Sequence, residues 1–205
     1  LVALLPMGQP LVMGTGAALT SAAVILSVPD SAKAESAEFY FDRAFKKAEE
    51  GDEYGAISDY TKAIEINPKY ADAYYNRGLA KFNLNNYQGA ISDYTKVIEI
   101  NPKYEDAYYF RGSSKFNLND YQGAISDYSK AIEINPKYAD AYLNRGIAKG
   151  ILEDYEGAIA DFDKAIEINP SYADAYTNRG IAKGILEDYD GAISDYTKVI
   201  EINPN

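Results

Sequence analysis

The chain of 205 residues contains no cysteine, no histidine and no tryptophan. Without cysteine it forms no disulfide and offers no thiolate for catalysis or metal binding. Without histidine it lacks the side chain most used as a general base near neutral pH and as a zinc ligand. Its acidic residues do not follow the D-x-D-x-D-G spacing of a calcium loop. We therefore expect no enzyme activity, no metal and no cofactor.

Basic residues are scarce relative to acidic ones. The chain carries 20 Lys and Arg against 31 Asp and Glu, which gives a formal net charge of −11 at pH 7. A negative surface repels the phosphates of nucleic acids and the headgroups of anionic lipids. Nucleic acid is therefore excluded as the expected partner.

Charge is absent from the first 29 residues, since Asp30 is the first charged side chain. Residues 11–28 form a run of 18 apolar and small residues, and Ala32 and Ala34 after it fit a small-x-small cleavage pattern. We interpret residues 1–36 as an export signal with a short linker, cleaved after Ala34. The alternative is an uncleaved membrane anchor, because such a run nearly spans a bilayer. We expect a protein exported to the periplasm or thylakoid lumen, or anchored in a membrane, in preference to a cytoplasmic one.

The remainder of the chain is dominated by one repeated motif. The tripeptide Ile-Asn-Pro occurs five times, and its prolines are always 34 residues apart. A fixed period of this length is typical of stacked helical hairpins, in which each unit contacts mainly its neighbours. The proline register divides the array into the units 37–70, 71–104, 105–138, 139–172 and 173–205.

The second unit shows the pattern most clearly. Residues 71–84 are predicted to form a first helix and residues 85–87 a turn. Residues 88–100 are predicted to form a second helix that ends before Pro102. Gly78 on the first helix and Ala90 on the second lack bulk, as close helix contact requires. Tyr74 and Tyr94 are predicted to fill the space around these contacts, as core residues.

Several residue types recur together at this period. In the second unit they are Tyr74, Gly78, Tyr87, Ala90, Tyr94, Val97 and Pro102. Over residues 37–205 this pattern resembles the tetratricopeptide repeat family, and blocks such as Tyr-Tyr-Asn-Arg-Gly resemble repeats of bacterial, especially cyanobacterial, proteins. The resemblance implies an all-α, right-handed superhelical solenoid of five 34-residue helix-turn-helix repeats. It also implies a scaffold that binds other proteins, with the first helices lining a concave groove.

The groove implied by this resemblance has a distinctive composition. Aromatic and aliphatic side chains would form pockets, and asparagines would bind a peptide backbone. None of these groove positions holds Lys or Arg, so the grip on a C-terminal carboxylate that the chaperone-binding branch of the family uses is not implied. An acidic rim that includes Asp72, Asp106 and Asp140 favours basic residues, so we expect an apolar peptide with some basic residues; the alternative is a solvated helix face. The predicted peptide-binding residues are Tyr75, Asn76, Leu79, Phe82, Asn83, Tyr109, Phe110, Phe116, Asn117, Asn144, Ile147 and Asn178.

Two further columns carry charge. Arg77 and its counterparts recur on the first helices, and Asp93 and its counterparts recur on the second. A stripe of arginines could bind phosphate, but pairing with the aspartates is the simpler account. We predict that Arg77 lies within salt-bridge distance of Asp93 or of an equivalent aspartate in an adjacent unit.

The last predicted helix has apolar residues that no following unit in this sequence covers. They are Ile193, Tyr196, Ile200 and Ile202. We expect either association through this end or a natural chain that continues. The best interpretation is thus a non-enzymatic peptide-binding scaffold that helps a complex to assemble, and the alternative is a structural protein that self-associates through its ends.

Overall fold

The computed structural model describes residues 36–204, which fold into ten α-helices and contain no β-strand. In chain order the helices are α1 (Ala37–Glu49), α2 (Glu53–Ile66), α3 (Ala71–Asn83), α4 (Tyr87–Ile100), α5 (Glu105–Asn117), α6 (Tyr121–Ile134), α7 (Ala139–Ile151), α8 (Tyr155–Ile168), α9 (Ala173–Ile185) and α10 (Tyr189–Ile202). Each predicted unit contains one pair of these helices, and we number the units as repeats one to five. The predicted all-α solenoid of helix-turn-helix repeats is confirmed.

Residues 1–35 and Asn205 lie outside the described part of the chain. The export signal, its alternative as a membrane anchor and cleavage after Ala34 all fall there and stay predictions. Among the helices that are described, none is both long enough and apolar enough to cross a bilayer.

The turn inside each repeat decides where the second helix begins. In repeat two, Asn85 has a left-handed backbone with φ 59°. The side chain of Asn86 accepts a hydrogen bond from the backbone N–H of Gly89 at 3.1 Å and so caps the next helix. This helix therefore begins at Tyr87, one residue before its predicted start. The first helix ends at Asn83, one residue before its predicted end.

The helices stack in chain order, each against the helix before it and the helix after it. At all four junctions between the described repeats, the first helix of one repeat also contacts the first helix of the next. This additional contact places the first helices on the inner side of the array. The concave face is therefore formed by α1, α3, α5, α7 and α9, as the resemblance implied.

A column of aromatic residues on the second helices fills the space between paired helices. Tyr60, Tyr94 and Tyr128 are at most 1% exposed, and Phe162 is 2% exposed. In repeat two the ring of Tyr94 covers Gly78, where an added Cβ would lie 2.8 Å from the ring. The prediction that Tyr94 is a core residue is confirmed. Burial also raises the pKa of Tyr60 to about 12, which keeps this phenol neutral.

The predicted pairing of Arg77 with Asp93 is confirmed. Nε and Nη2 of Arg77 donate to the two carboxylate oxygens of Asp93 at 2.9 and 2.7 Å, and Lys81 Nζ donates to the same carboxylate at 2.7 Å. Because Asp93 is 2% exposed, its charge depends on these partners. Tyr74, predicted as core, is only partly buried, and the Arg77 guanidinium lies 5.5 Å from its ring centre.

The third guanidinium nitrogen of Arg77, Nη1, forms a hydrogen bond to the neighbouring repeat. Nη1 of Arg77 donates to Oγ1 of Thr61 at 2.9 Å, and Nη1 of Arg111 donates to Oγ1 of Thr95 at 3.2 Å. In both cases the acceptor lies on the second helix of the preceding repeat. The arginine column therefore links successive repeats, and it is engaged in structural contacts rather than free to bind phosphate.

Candidate functional site: the concave groove

Three phenylalanines collect on the concave side of repeats two and three. Phe82, Phe110 and Phe116 are each partly exposed, and the ring centres of Phe82 and Phe110 lie 6.2 Å apart. They line an open concavity of about 280 Å³, which we call the aromatic pocket. Its complete lining is Phe82, Tyr109, Phe110, Ser113, Phe116, Asn117, Tyr128 and Asn144.

A second concavity of about 210 Å³ lies between repeats four and five. We call it the aliphatic pocket, because isoleucines of α7 and α9 form its walls. Ile151 and Ile185 are 46% and 51% exposed, although both are large apolar side chains. Its complete lining is Gly146, Ile147, Gly150, Ile151, Tyr155, Ala158, Phe162, Asn178, Ile181, Ala182 and Ile185.

The structure brings eight of the twelve predicted groove residues to these two pockets. Phe82, Tyr109, Phe110, Phe116, Asn117 and Asn144 line the aromatic pocket. Ile147 and Asn178 line the aliphatic pocket. Tyr75, Asn76, Leu79 and Asn83 lie outside both linings.

The predicted set did not include Ile151, Ile181 and Ile185. One feature of the sequence could have identified these isoleucines. Position 150 is glycine where repeats two and three have Phe82 and Phe116. The loss of a large ring from a packed column indicates open space beside it.

Two of the predicted aromatic anchors stack on the tyrosine that ends their own repeat, which is also the N-cap residue of the next repeat's first helix. Tyr75 stacks on Tyr104 with ring centres 5.1 Å apart, and Tyr109 stacks on Tyr138 at 4.9 Å. The hydroxyl of Tyr109 also accepts a hydrogen bond from Asn144 Nδ2 at 2.8 Å. Burial raises the pKa of Tyr109. The rings of these two tyrosines are therefore packed within the protein as part of the groove floor. They offer a ligand little free ring surface.

The groove asparagines use their amide nitrogens within the protein. Nδ2 of Asn76, Asn117 and Asn178 each donates to the backbone carbonyl four residues earlier at 2.8 Å. Nδ2 of Asn83 donates to Glu53 at 2.7 Å. These bonds orient the side chains and leave their amide oxygens to accept hydrogen bonds. Backbone N–H groups of an extended segment are suitable donors.

The acidic rim is also held in place. The hydroxyl of Tyr138 donates to Oδ1 of Asp106 at 2.7 Å, and the hydroxyl of Tyr172 donates to Asp140. Burial, together with the hydrogen bond to Asp106, raises the pKa of Tyr138. Within residues 36–204, no group of three or more acidic side chains is placed to bind a metal ion. The tyrosine hydroxyls thus hold Asp106 and Asp140 as a negative edge beside the apolar groove.

Comparison with known protein families agrees with this geometry. The sequence model described as "Tetratricopeptide repeat" matches residues 71–104, 139–172 and 173–205, and the one described as "TPR repeat" matches residues 48–85 and 112–150. The chain belongs to the tetratricopeptide repeat family. Proteins of this family are in general interaction scaffolds without enzymatic activity, and the fold supports the role of an interaction scaffold here. A search of curated proteins found no match.

Solved structures with the same fold include MamA and YrrB. The crystal structure of MamA protein is 28% identical to this chain, with a TM-score of 0.77, and the match covers 82% of this chain and 92% of MamA. MamA from Desulfovibrio magneticus RS-1 is 23% identical, with a TM-score of 0.78 and coverages of 82% and 95%. YrrB is 24% identical, with a TM-score of 0.73 and coverages of 86% and 90%. At such identities, the latter two likenesses establish the fold alone.

Proposed function

We infer that this tetratricopeptide repeat protein is a non-enzymatic scaffold that binds an extended peptide segment in its concave groove and so helps a complex to assemble. The observation that carries the proposal is the aromatic pocket. Phe82, Phe110 and Phe116 leave apolar surface open to solvent on the concave face. A contiguous apolar patch on a soluble protein commonly marks a binding surface.

The charges around the groove support a choice of partner. Asp72, Asp140 and Asp174 are exposed along its rim. No Lys or Arg lines either pocket. An apolar peptide with some basic residues suits this distribution, whereas an acidic peptide would be repelled.

The known structures include one protein with a related ligand class. YrrB is described as "a TPR protein with an unusual peptide-binding site". That description applies to YrrB. A peptide ligand is proposed for the present chain on the chemistry of its own groove.

The test is selection from a random peptide library displayed on phage, followed by calorimetric titration of an enriched peptide. We expect enriched peptides to combine apolar and basic residues. The variant Phe82→Ala with Phe116→Ala should weaken binding at least tenfold, which is about 1.4 kcal/mol. Tyr109 is left intact in this variant. Its ring stacks on Tyr138, so replacing it would also change the stability of the fold, and a loss of binding would no longer report on the groove alone.

The matched control changes the opposite side of repeat two. Gln88 and Ser92 are exposed on α4, away from the groove, and Gln88→Ala with Ser92→Ala should bind as the parent does. Added salt should weaken binding only modestly, since the rim charges are exposed and screened. Acidic enriched peptides, or equal binding by the groove variant with unchanged helix content, would refute the proposal.

The exposed face of α10 favours a second candidate function, which is self-association. Ile193, Tyr196 and Ile200 are 63%, 40% and 67% exposed. A second copy of the chain, or a further repeat, would cover them. Light scattering over a range of concentrations tests this candidate, and a constant monomer mass would rule out the second copy.

We also propose that the protein acts outside the cytoplasm or at a membrane surface. The support is the sequence of residues 1–36 alone. The mass of the intact protein from its natural source tests the proposal, because cleavage after Ala34 removes the apolar run. A mature chain that keeps residues 11–28 would favour the anchor.

A further inference from the structure

We propose that the aliphatic pocket binds one large apolar side chain of the segment in the groove, of the size of leucine, methionine or phenylalanine. This inference rests on the proposed function and adds to it the position and chemistry of an anchor. The pocket lies between α7 and α9, beyond the aromatic pocket along the groove.

The first support is a change within one column of the repeat. Phe82 packs edge-on against Tyr87 with ring centres 5.3 Å apart, and Phe116 packs against Tyr121 in the same way at 5.2 Å. In repeat four the equivalent of this phenylalanine is Gly150. Its tyrosine partner, Tyr155, keeps its place and lines the pocket. Repeats two and three thus fill this space with a ring of their own, and repeat four leaves it open.

The second support is the size of the opening. Its volume is about 210 Å³. Engineered apolar cavities of about 150 Å³ accommodate benzene. The aliphatic pocket therefore has room for one large side chain, and is small for a drug-sized ligand.

The third support is the chemistry of the lining. Its walls include Ile151, Ile181 and Ile185, which are about half exposed. Asn178 stands at its edge, and its Nδ2 already donates to the carbonyl of Asp174. Its amide oxygen is therefore left to accept a backbone N–H from the residue whose side chain enters the pocket. An apolar amino-acid residue within a peptide satisfies both requirements.

The test uses a small probe that carries one side chain and one peptide backbone unit. The full chain is labelled with ¹³C at isoleucine methyl groups and titrated with N-acetyl-leucine methylamide and, separately, with the alanine analogue. We expect saturable shifts at Ile147, Ile151, Ile181 and Ile185. The leucine probe should bind about tenfold more tightly, because its side chain buries more apolar surface.

Three variants separate the pocket from the rest of the groove. Gly150→Phe restores the residue type of repeats two and three and should abolish the leucine shifts. Gly184→Phe is the matched control, because Gly184 holds the same position in repeat five but does not line the pocket. Leucine binding should be kept in this control. Ile185→Asn, at a half-exposed wall position, should also weaken binding and needs no repacking of the core.

The outcomes distinguish this inference from the proposed function. If a library peptide binds the parent and Gly150→Phe equally, the pocket is not an anchor site while groove binding stands. Equal affinity for the leucine and alanine probes would also overturn the inference. If the leucine probe binds the pocket but no library peptide binds the groove, the proposed function fails. Leucine shifts that vanish together with dimerisation in Gly150→Phe would instead identify a second copy as the occupant and overturn the peptide anchor.

Discussion

At the scale of single residues, one column of the array contains two unsatisfied hydroxyl groups within the described part of the chain. The hydroxyls of Tyr60 and Tyr94 are buried without a hydrogen-bond partner in residues 36–204. In repeat three the equivalent hydroxyl, on Tyr128, donates to Oγ of Ser113 at 3.2 Å. Repeat four has Phe162 at this position, so the array itself shows that the fold does not need the hydroxyl.

We expect Tyr94→Phe to raise the free energy of unfolding by about 1 kcal/mol, because it removes a desolvated hydroxyl that makes no hydrogen bond. Tyr128→Phe is the control, and it should lower that free energy by about 0.5–1.5 kcal/mol, because it removes a formed hydrogen bond. Urea unfolding followed by circular dichroism measures both. Destabilisation of similar size in the two variants would contradict the interpretation.

At the scale of the helices and their turns, the repeats use different residues for one strained position. The residue with positive φ is Gly51 in repeat one, Asn85 and Asn119 in repeats two and three, and Glu153 and Glu187 in repeats four and five. Asparagine tolerates this left-handed conformation better than glutamate does. In repeat two the asparagine also accepts a hydrogen bond from the hydroxyl of a tyrosine two residues later, at 2.7 Å.

We therefore expect Glu153→Asn to stabilise the chain by about 0.5–1 kcal/mol. The substitution relieves strain at φ 66° and gives the hydroxyl of Tyr155 an acceptor. The reverse change, Asn85→Glu, should destabilise by a similar amount. Thermal unfolding of the three proteins checks both changes, and equal midpoints would show that this turn position is not strained.

At the scale of the whole molecule, stability depends on contacts that cross from repeat to repeat. Arg111 makes one contact of this kind and one within its own repeat. It pairs with Asp127 of its own repeat at 2.6 and 2.9 Å, and it donates to Thr95 of the preceding repeat. Lys115 also donates to Asp127, so the aspartate has one other partner.

We expect Arg111→Ala to destabilise the array by about 1–3 kcal/mol, because Asp127 is buried and loses its bidentate partner. Thr95→Val should destabilise the array less than Arg111→Ala does, because it removes only the hydrogen bond to the preceding repeat and leaves the ion pair between Arg111 and Asp127 in place. Urea unfolding of both single variants and the double variant measures the coupling between repeats. Unchanged stability of Arg111→Ala would show that the ion pair makes no net contribution.

The sequence by itself determined the repeat and its helices. The 34-residue period, the stop at each proline and the small residues at fixed positions are local patterns that predict paired helices. The Arg77–Asp93 pair was also predictable, because both residues belong to one helical hairpin whose geometry is nearly fixed. In repeat two, the start of the second helix differed by one residue from the predicted start, because the side-chain cap of Asn86 sets where this helix begins.

Only the tertiary structure decided what happens between repeats. Whether the hydroxyl of Tyr109 is free for a ligand or accepts a hydrogen bond from Asn144 of the next repeat depends on the angle at which one hairpin packs against the next. The same angle decides that Gly150 opens a pocket walled by Ile185 of the following repeat. A periodic sequence specifies the contacts inside each unit. The shape of the groove arises across units, from packing that no single unit encodes.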